Sequence, residues 1–170
     1  MPIEAAKIVV TQQALEIHVR LRAIDRDLLV WQRGNDVARR LMTIPGIGPV
    51  GATALAASVT DPHQFRSGRQ FAAWLGLTPL QKSSGGKERL GRITKMGDKY
   101  LRKLLIVGMT SRVRRAKQNP TGDPRLADLL ARKPTRVATV AMANKTARII
   151  WAIMARGEIY RGGHQPALAA

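Results

Sequence analysis

Ser83 and Ser84 stand immediately before Gly85, Gly86 and Lys87. A hydroxyl between glycines and cations has two chemical uses. It can hydrogen-bond a phosphate alongside backbone amides, or it can attack phosphorus while Lys and Arg side chains neutralise the charge building on the phosphoryl oxygens. Lys82, Lys87, Arg89, Arg92, Lys95, Lys99 and Arg102 supply those cations. No general base stands beside the serines, because Asp98 is fourteen residues beyond Ser84 and is placed to cap the helix that follows. On residue chemistry alone phosphate binding is the stronger reading, and attack remains open.

A second candidate is Ile44-Pro45-Gly46-Ile47-Gly48-Pro49. Its glycines let the backbone turn tightly, so that successive amides and the N-terminus of the next helix face one phosphate. Ile44 and Ile47 are the apolar pins of such a turn. The pattern is that of a helix-hairpin-helix, which positions DNA without reading bases; a plain connector between two helices has the same residues.

These candidates need elements to hold them. Residues 4–40 contain no proline, and Val10, Ala14, Ile17, Leu21, Ile24, Leu28 and Trp31 follow a four-three alternation that marks one seam of a long helix. That helix is expected either to lie on the domain or to project as a coiled-coil arm, and a self-associating arm is the reading adopted. Helices are expected on both sides of the hairpin, after Ser67 as far as Leu75, from Asp98 to about Ala116, over residues 125–131, and over residues 135–156 with Val140, Ala147, Ile150, Trp151 and Met154 buried. Residues 80–97 read as an exposed loop, with short strands conceivable only at residues 7–10 or near Ile93. The resulting expectation is an all-α fold: an arm over residues 1–40, a compact DNA-binding domain over 41–160 and a flexible tail over 161–170.

Composition narrows the partners. The 170 residues carry 29 Lys and Arg against 11 Asp and Glu, a formal charge of +18, which would repel itself without a habitual polyanion. The span 82–117 alone holds twelve basic and two acidic residues, ten of those eighteen excess charges. A nucleic acid is the simplest such partner. No stretch approaches the roughly 20 apolar residues that span a bilayer, and residues 1–7 lack a secretory pattern, so no membrane partner and a cytoplasmic location are expected. Without cysteine there is no thiolate zinc site or cysteine nucleophile, and His18, His63 and His164 are too scattered to share a metal.

Taken together, residues 41–57, Phe71-Ala-Ala-Trp-Leu-Gly-Leu-Thr-Pro79, Ser83-Ser-Gly-Gly-Lys87, Gly91-Arg-Ile-Thr-Lys-Met-Gly97 and Tyr100-Leu-Arg102 resemble a known family. They are similar to the C-terminal transposase domain of bacterial insertion-sequence recombinases guided by a bridging RNA. The resemblance covers about residues 41–130. It implies a serine nucleophile at Ser84, with Ser83 the alternative, that would attack a DNA phosphodiester and hold the cut strand as a phosphoserine ester. It also implies a RuvC-like partner domain that binds divalent metal, dimers or tetramers joined through the arms, and contact with a guide RNA.

The chain departs from that pattern in its acids. Asp25, Asp27 and Asp36 lie on one expected helix and the others suit caps, so no cofactor or metal site is expected in this chain. The catalytic metal is implied only for the RuvC-like domain, and the chain is expected to be inactive alone. Three functions follow as expectations: the serine-bearing part of a transposase, a non-catalytic architectural DNA binder using the hairpin and basic loop, and, more weakly, an RNA-binding accessory protein.

Overall fold

The computed structural model describes residues 2–81 and 90–162. Helix α1 (Pro2–Gly34) opens with Glu4 in its first turn and closes with Arg33 in its last, charges that suit the helix dipole. It stops at Gly34. Asn35 then takes an extended conformation, and its side chain accepts from the Ala38 amide at 2.9 Å to cap α2 (Asp36–Met42). The single helix expected over residues 4–40 is therefore two. Residues 7–10, a conceivable strand, lie within α1.

After the hairpin, Pro49 opens α3 (Pro49–Ser58), where its missing amide hydrogen costs nothing. A 3₁₀ turn at Pro62–Gln64 leads to α4 (Gly68–Trp74), capped by Ser67. Two short antiparallel strands follow, β1 (Pro79–Gln81) and β2 (Leu90–Ile93), with Pro79 opposite Ile93 and Gln81 opposite Leu90 across a bulge. Sequence patterning placed a loop here because three and four residues are too few to show alternation. Asp98 caps α5 (Lys99–Gln118) through a 2.8 Å bond from the Leu101 amide, and Asp123 caps α6 (Pro124–Arg132). The last helix, α7 (Thr135–Arg156), ends at Gly157 in the left-handed conformation that glycine accommodates.

Helices α5 and α7 form the centre, with α4 against α7 and the α2–α3 pair against both. Phe71, Leu75, Leu101, Leu105, Met109 and Ile150 are fully buried between them. On α7 the burial falls on Ala138, Met142, Ala143, Ala147, Ile150 and Ile153, while Val140, Trp151 and Met154 are half-buried at the margin. Polar ties lock the layers, since Trp151 Nε1 donates to the Pro62 carbonyl at 3.0 Å and Asn144 Nδ2 to the Leu77 carbonyl at 3.1 Å. The fold is all-helical, a long N-terminal helix followed by a compact bundle, with one small β-ribbon. Among the described residues α1 touches only α2 and α3, and no helix is long and apolar enough to cross a membrane.

Candidate nucleic-acid interface

The hairpin joins α2 to α3, and Ile44 and Ile47 are both buried beneath it. Gly46 has φ +91°, a conformation in which a side chain is strained, and it lies directly on Gly108 of α5. A β-carbon on Gly108 would overlap the Gly46 carbonyl oxygen, so the two glycines permit the hairpin to sit on the middle of that helix. Gly48 differs. It is extended, no atom would meet a β-carbon there, and it begins α3 without a side-chain cap. That leaves the helix N-terminus able to receive an anion.

The ribbon is anchored at its base by a second pair of glycines. Gly76 (φ +67°) and Gly97 (φ +83°) let the end of α4 and the turn before α5 approach within backbone contact, the Gly76 side meeting Met96 and the Gly97 side meeting Trp74. Main-chain bonds from Thr94 to Thr78 (2.9 Å) and from Lys95 to Gly76 (3.1 Å) tie the two sides together. Lys95 itself has φ +58°, uncommon for a residue with a side chain.

Arg102 closes this knot. It is only 8% exposed, and its Nη1 donates to the Leu75 carbonyl at 2.9 Å and the Met96 carbonyl at 3.1 Å. Expected as a phosphate contact, Arg102 instead points inward, because it falls on the same face of α5 as Leu101, Leu105 and Met109. Its five donors let one buried guanidinium satisfy carbonyls from two segments.

Of the other expected contacts, Arg92, Lys95 and Lys99 are exposed around the ribbon and the start of α5. Lys82, Ser83, Ser84, Lys87 and Arg89 lie outside the described residues, as does His164. Helix α5 organises both candidate features: the ribbon enters it at Lys99 and the hairpin rests on Gly108, nine residues or roughly 14 Å further along its axis. Among the described residues no group of three or more His, Asp or Glu could hold a metal ion.

The packing role of Gly108 and the inward course of Arg102 escaped the sequence reading. A lone glycine inside a helical pattern, Gly108, is a sign of close packing; Arg102 lies on the apolar stripe and could have been found by its period. The basic residues of α6 and α7 were also passed over, since they are interleaved with buried positions.

Residues 38–126 match the model of the transposase family IS116/IS110/IS902. A probable family 20 transposase of Pseudomonas aeruginosa is 48% identical over 148 residues, covering 86% of this chain and 44% of that protein. The transposase for insertion sequence element IS1111A of Coxiella burnetii is 43% identical over 141 residues, 82% of this chain and 38% of its own. The transposase for insertion sequence element IS1328 of Yersinia enterocolitica is 37% identical over 145 residues, 83% of this chain and 42% of its own. The chain thus spans about two fifths of the length of these relatives. With the hairpin, ribbon and α5 all inside the matched region, the chain belongs to the IS116/IS110/IS902 transposase family.

Proposed function

We propose that this chain is the DNA-gripping part of an insertion-sequence transposase and supplies a serine nucleophile for strand cleavage and exchange when joined by a RuvC-like domain. The observation that carries the reading is the clamped base of the ribbon. Gln81 pairs with Leu90, and the Gly76, Gly97 and Arg102 knot lies just beneath, so the residues on either side of segment 82–89 are tied together. Tied flanks of this kind support the precise placement that a nucleophile demands.

The step is a transesterification. The Ser84 hydroxyl oxygen forms a bond to the phosphorus of a DNA phosphodiester, the bond from that phosphorus to a deoxyribose oxygen breaks, and the departing oxygen leaves as a hydroxyl with the proton given up by serine. Attack by a strand-end hydroxyl on the phosphoserine ester reverses it. Lys82, Lys87, Arg89, Arg92, Lys95 and Lys99 neutralise the phosphates, Ser83 is the alternative nucleophile, and Gly46 and Gly48 shape a hairpin that holds backbone. In this proposal divalent metal is assigned to the RuvC-like domain. Guide RNA and assembly through the arms complete the proposal.

The test has two stages. Duplex DNA titrated at several salt concentrations is expected to give a log-log slope of magnitude above about 4; a slope near zero overturns the grip. With a RuvC-like portion of a relative supplied, a labelled duplex is expected to become covalently attached to this chain, and Ser84→Ala to abolish the adduct. Loss in Ser83→Ala alone moves the nucleophile by one residue. Duplex binding without any adduct leaves the architectural reading, a phosphate grip without chemistry.

A further inference from the structure

We propose a second nucleic-acid site, away from the ribbon: a trench between α6 and α7 that takes a single unpaired strand. The trench has a volume of about 790 Å³ and starts at Pro45 of the hairpin. Arg132, Lys145 and Arg148 stand along it, all three exposed. Among the described residues none of the three is ion-paired. The acid in its lining is Asp123, and Arg112 already engages that carboxylate through Nε at 3.1 Å and Nη2 at 2.5 Å. The rim is therefore cationic with its one anion neutralised, a surface suited to a run of phosphates.

The floor decides which polyanion. Leu129 and Tyr160, both half-buried, line it above the buried Leu126 and Met142, so the trench joins an apolar base to a cationic rim. A duplex turns its sugar-phosphate rails outward and keeps its base faces stacked inside, and such an apolar floor would gain nothing from it. An unpaired strand exposes both: phosphates for the rim and base faces for the floor. The spacing agrees, because Lys145 and Arg148 are three residues apart on α7 with β-carbons roughly 5–6 Å from each other, comparable to the separation of adjacent phosphates. Arg132 reaches the same space from the last turn of α6, where its Nε donates to the Asp128 carbonyl at 3.2 Å and holds the stem in place.

The site shares a ligand class with the proposed duplex grip but none of its contact residues, so the two can fail separately. Labelled oligo-dT and oligo-U and a random-sequence duplex are titrated against the whole chain and two triple variants. One carries Arg132→Gln, Lys145→Gln and Arg148→Gln; the other carries Arg92→Gln, Lys95→Gln and Lys99→Gln. Three lost phosphate contacts on a single strand lower the log-log salt slope by about 2 and single-strand affinity by about tenfold or more. The trench variant is expected to show that loss on the oligonucleotides while holding duplex affinity within about threefold, and the ribbon variant the reverse. Preference for oligo-U over oligo-dT assigns the strand as RNA, and the opposite order assigns it as DNA. An unchanged single-strand affinity in the trench variant overturns the proposal, as does an equal loss on duplex and single strand. If the duplex fails to bind the unmodified chain while oligonucleotides bind through the trench, the duplex grip falls and the trench stands. All three substituted side chains are exposed, so the fold is retained; restoring charge with Arg132→Lys and Arg148→Lys on the Lys145 background is expected to return most of the affinity.

Discussion

Gly46 and Gly108 meet so closely that neither has room for a β-carbon, whereas Gly48, two residues along the same hairpin, has open space. The three glycines therefore separate stability from binding. Gly108→Ala is expected to destabilise the chain by about 1–3 kcal/mol, since the obstacle is backbone and cannot step aside. Urea unfolding checks it through a lower midpoint at constant slope. Gly48→Ala replaces one uncapped N-cap by a poorer one and should cost less than about 1 kcal/mol, which makes it the cleaner probe of phosphate contact. Arg102 belongs with the structural glycines. Arg102→Met leaves the Leu75 and Met96 carbonyls without that donor, at a cost of about 1–3 kcal/mol for buried acceptors, and is expected to loosen the ribbon base. Faster amide exchange at Thr94 and Lys95, whose bonds close that base, is the readout; unchanged protection would rule the role out.

At the scale of elements, the helices followed from caps and periodicity, and the ribbon did not. Ser67, Asp98 and Asp123 are N-cap residues in the structure, and Gly157 and the alternation of α7 mark the last helix. The hairpin at residues 44–49 was legible because two glycines and two prolines leave few alternatives. The ribbon was hidden because its pairing depends on contacts between residues far apart in sequence, Gly76 with Met96 and Gly97 with Trp74. Arg102 was misplaced for a related reason, as composition counts a buried cation like any other. The arm repeats the division between pattern and placement. Its seam residues Val10, Ile17, Leu21 and Ile24 are all more than half exposed, and only its last turns reach α2 and α3. Ala14, Leu21 and Leu28 at one seam position with Val10, Ile17, Ile24 and Trp31 at the other suit assemblies beyond a parallel pair. Ile17→Asp with Leu21→Asp is expected to shift an oligomer to monomer with an unchanged melting temperature for the helical body. Sedimentation over a wide concentration range measures it; a strict monomer before any substitution rejects self-association, and unfolding of the whole chain would make the seam part of the core.

The whole molecule carries a charge problem that its local contacts do not solve. Against a formal +18, the described residues hold two ion pairs, Arg39 with Asp36 and Arg112 with Asp123, and the first is exposed and joins neighbours on α2. Exposed pairs contribute about 0–1 kcal/mol, so screening removes little attraction while it relieves repulsion among the many remaining cations. Sodium chloride raised from 50 to 500 mM is therefore expected to raise the melting temperature. A gain of about 1 kcal/mol corresponds to roughly 2–4 °C for a chain near this size. A multivalent anion should do more than screening, because it binds the folded arrangement of cations at the ribbon and trench and stabilises in proportion to the logarithm of its concentration over Kd. Sodium polyphosphate at matched ionic strength separates the two effects: a shift equal to that from chloride means diffuse screening only, and a larger, saturable shift means ordered sites. Removing Arg132, Lys145 and Arg148 together should then raise the melting temperature in low salt and shrink the polyphosphate increment. A melting temperature that falls as chloride rises would show that attraction between charges outweighs repulsion in the folded chain, and the picture of a domain built around an external polyanion would have to be abandoned.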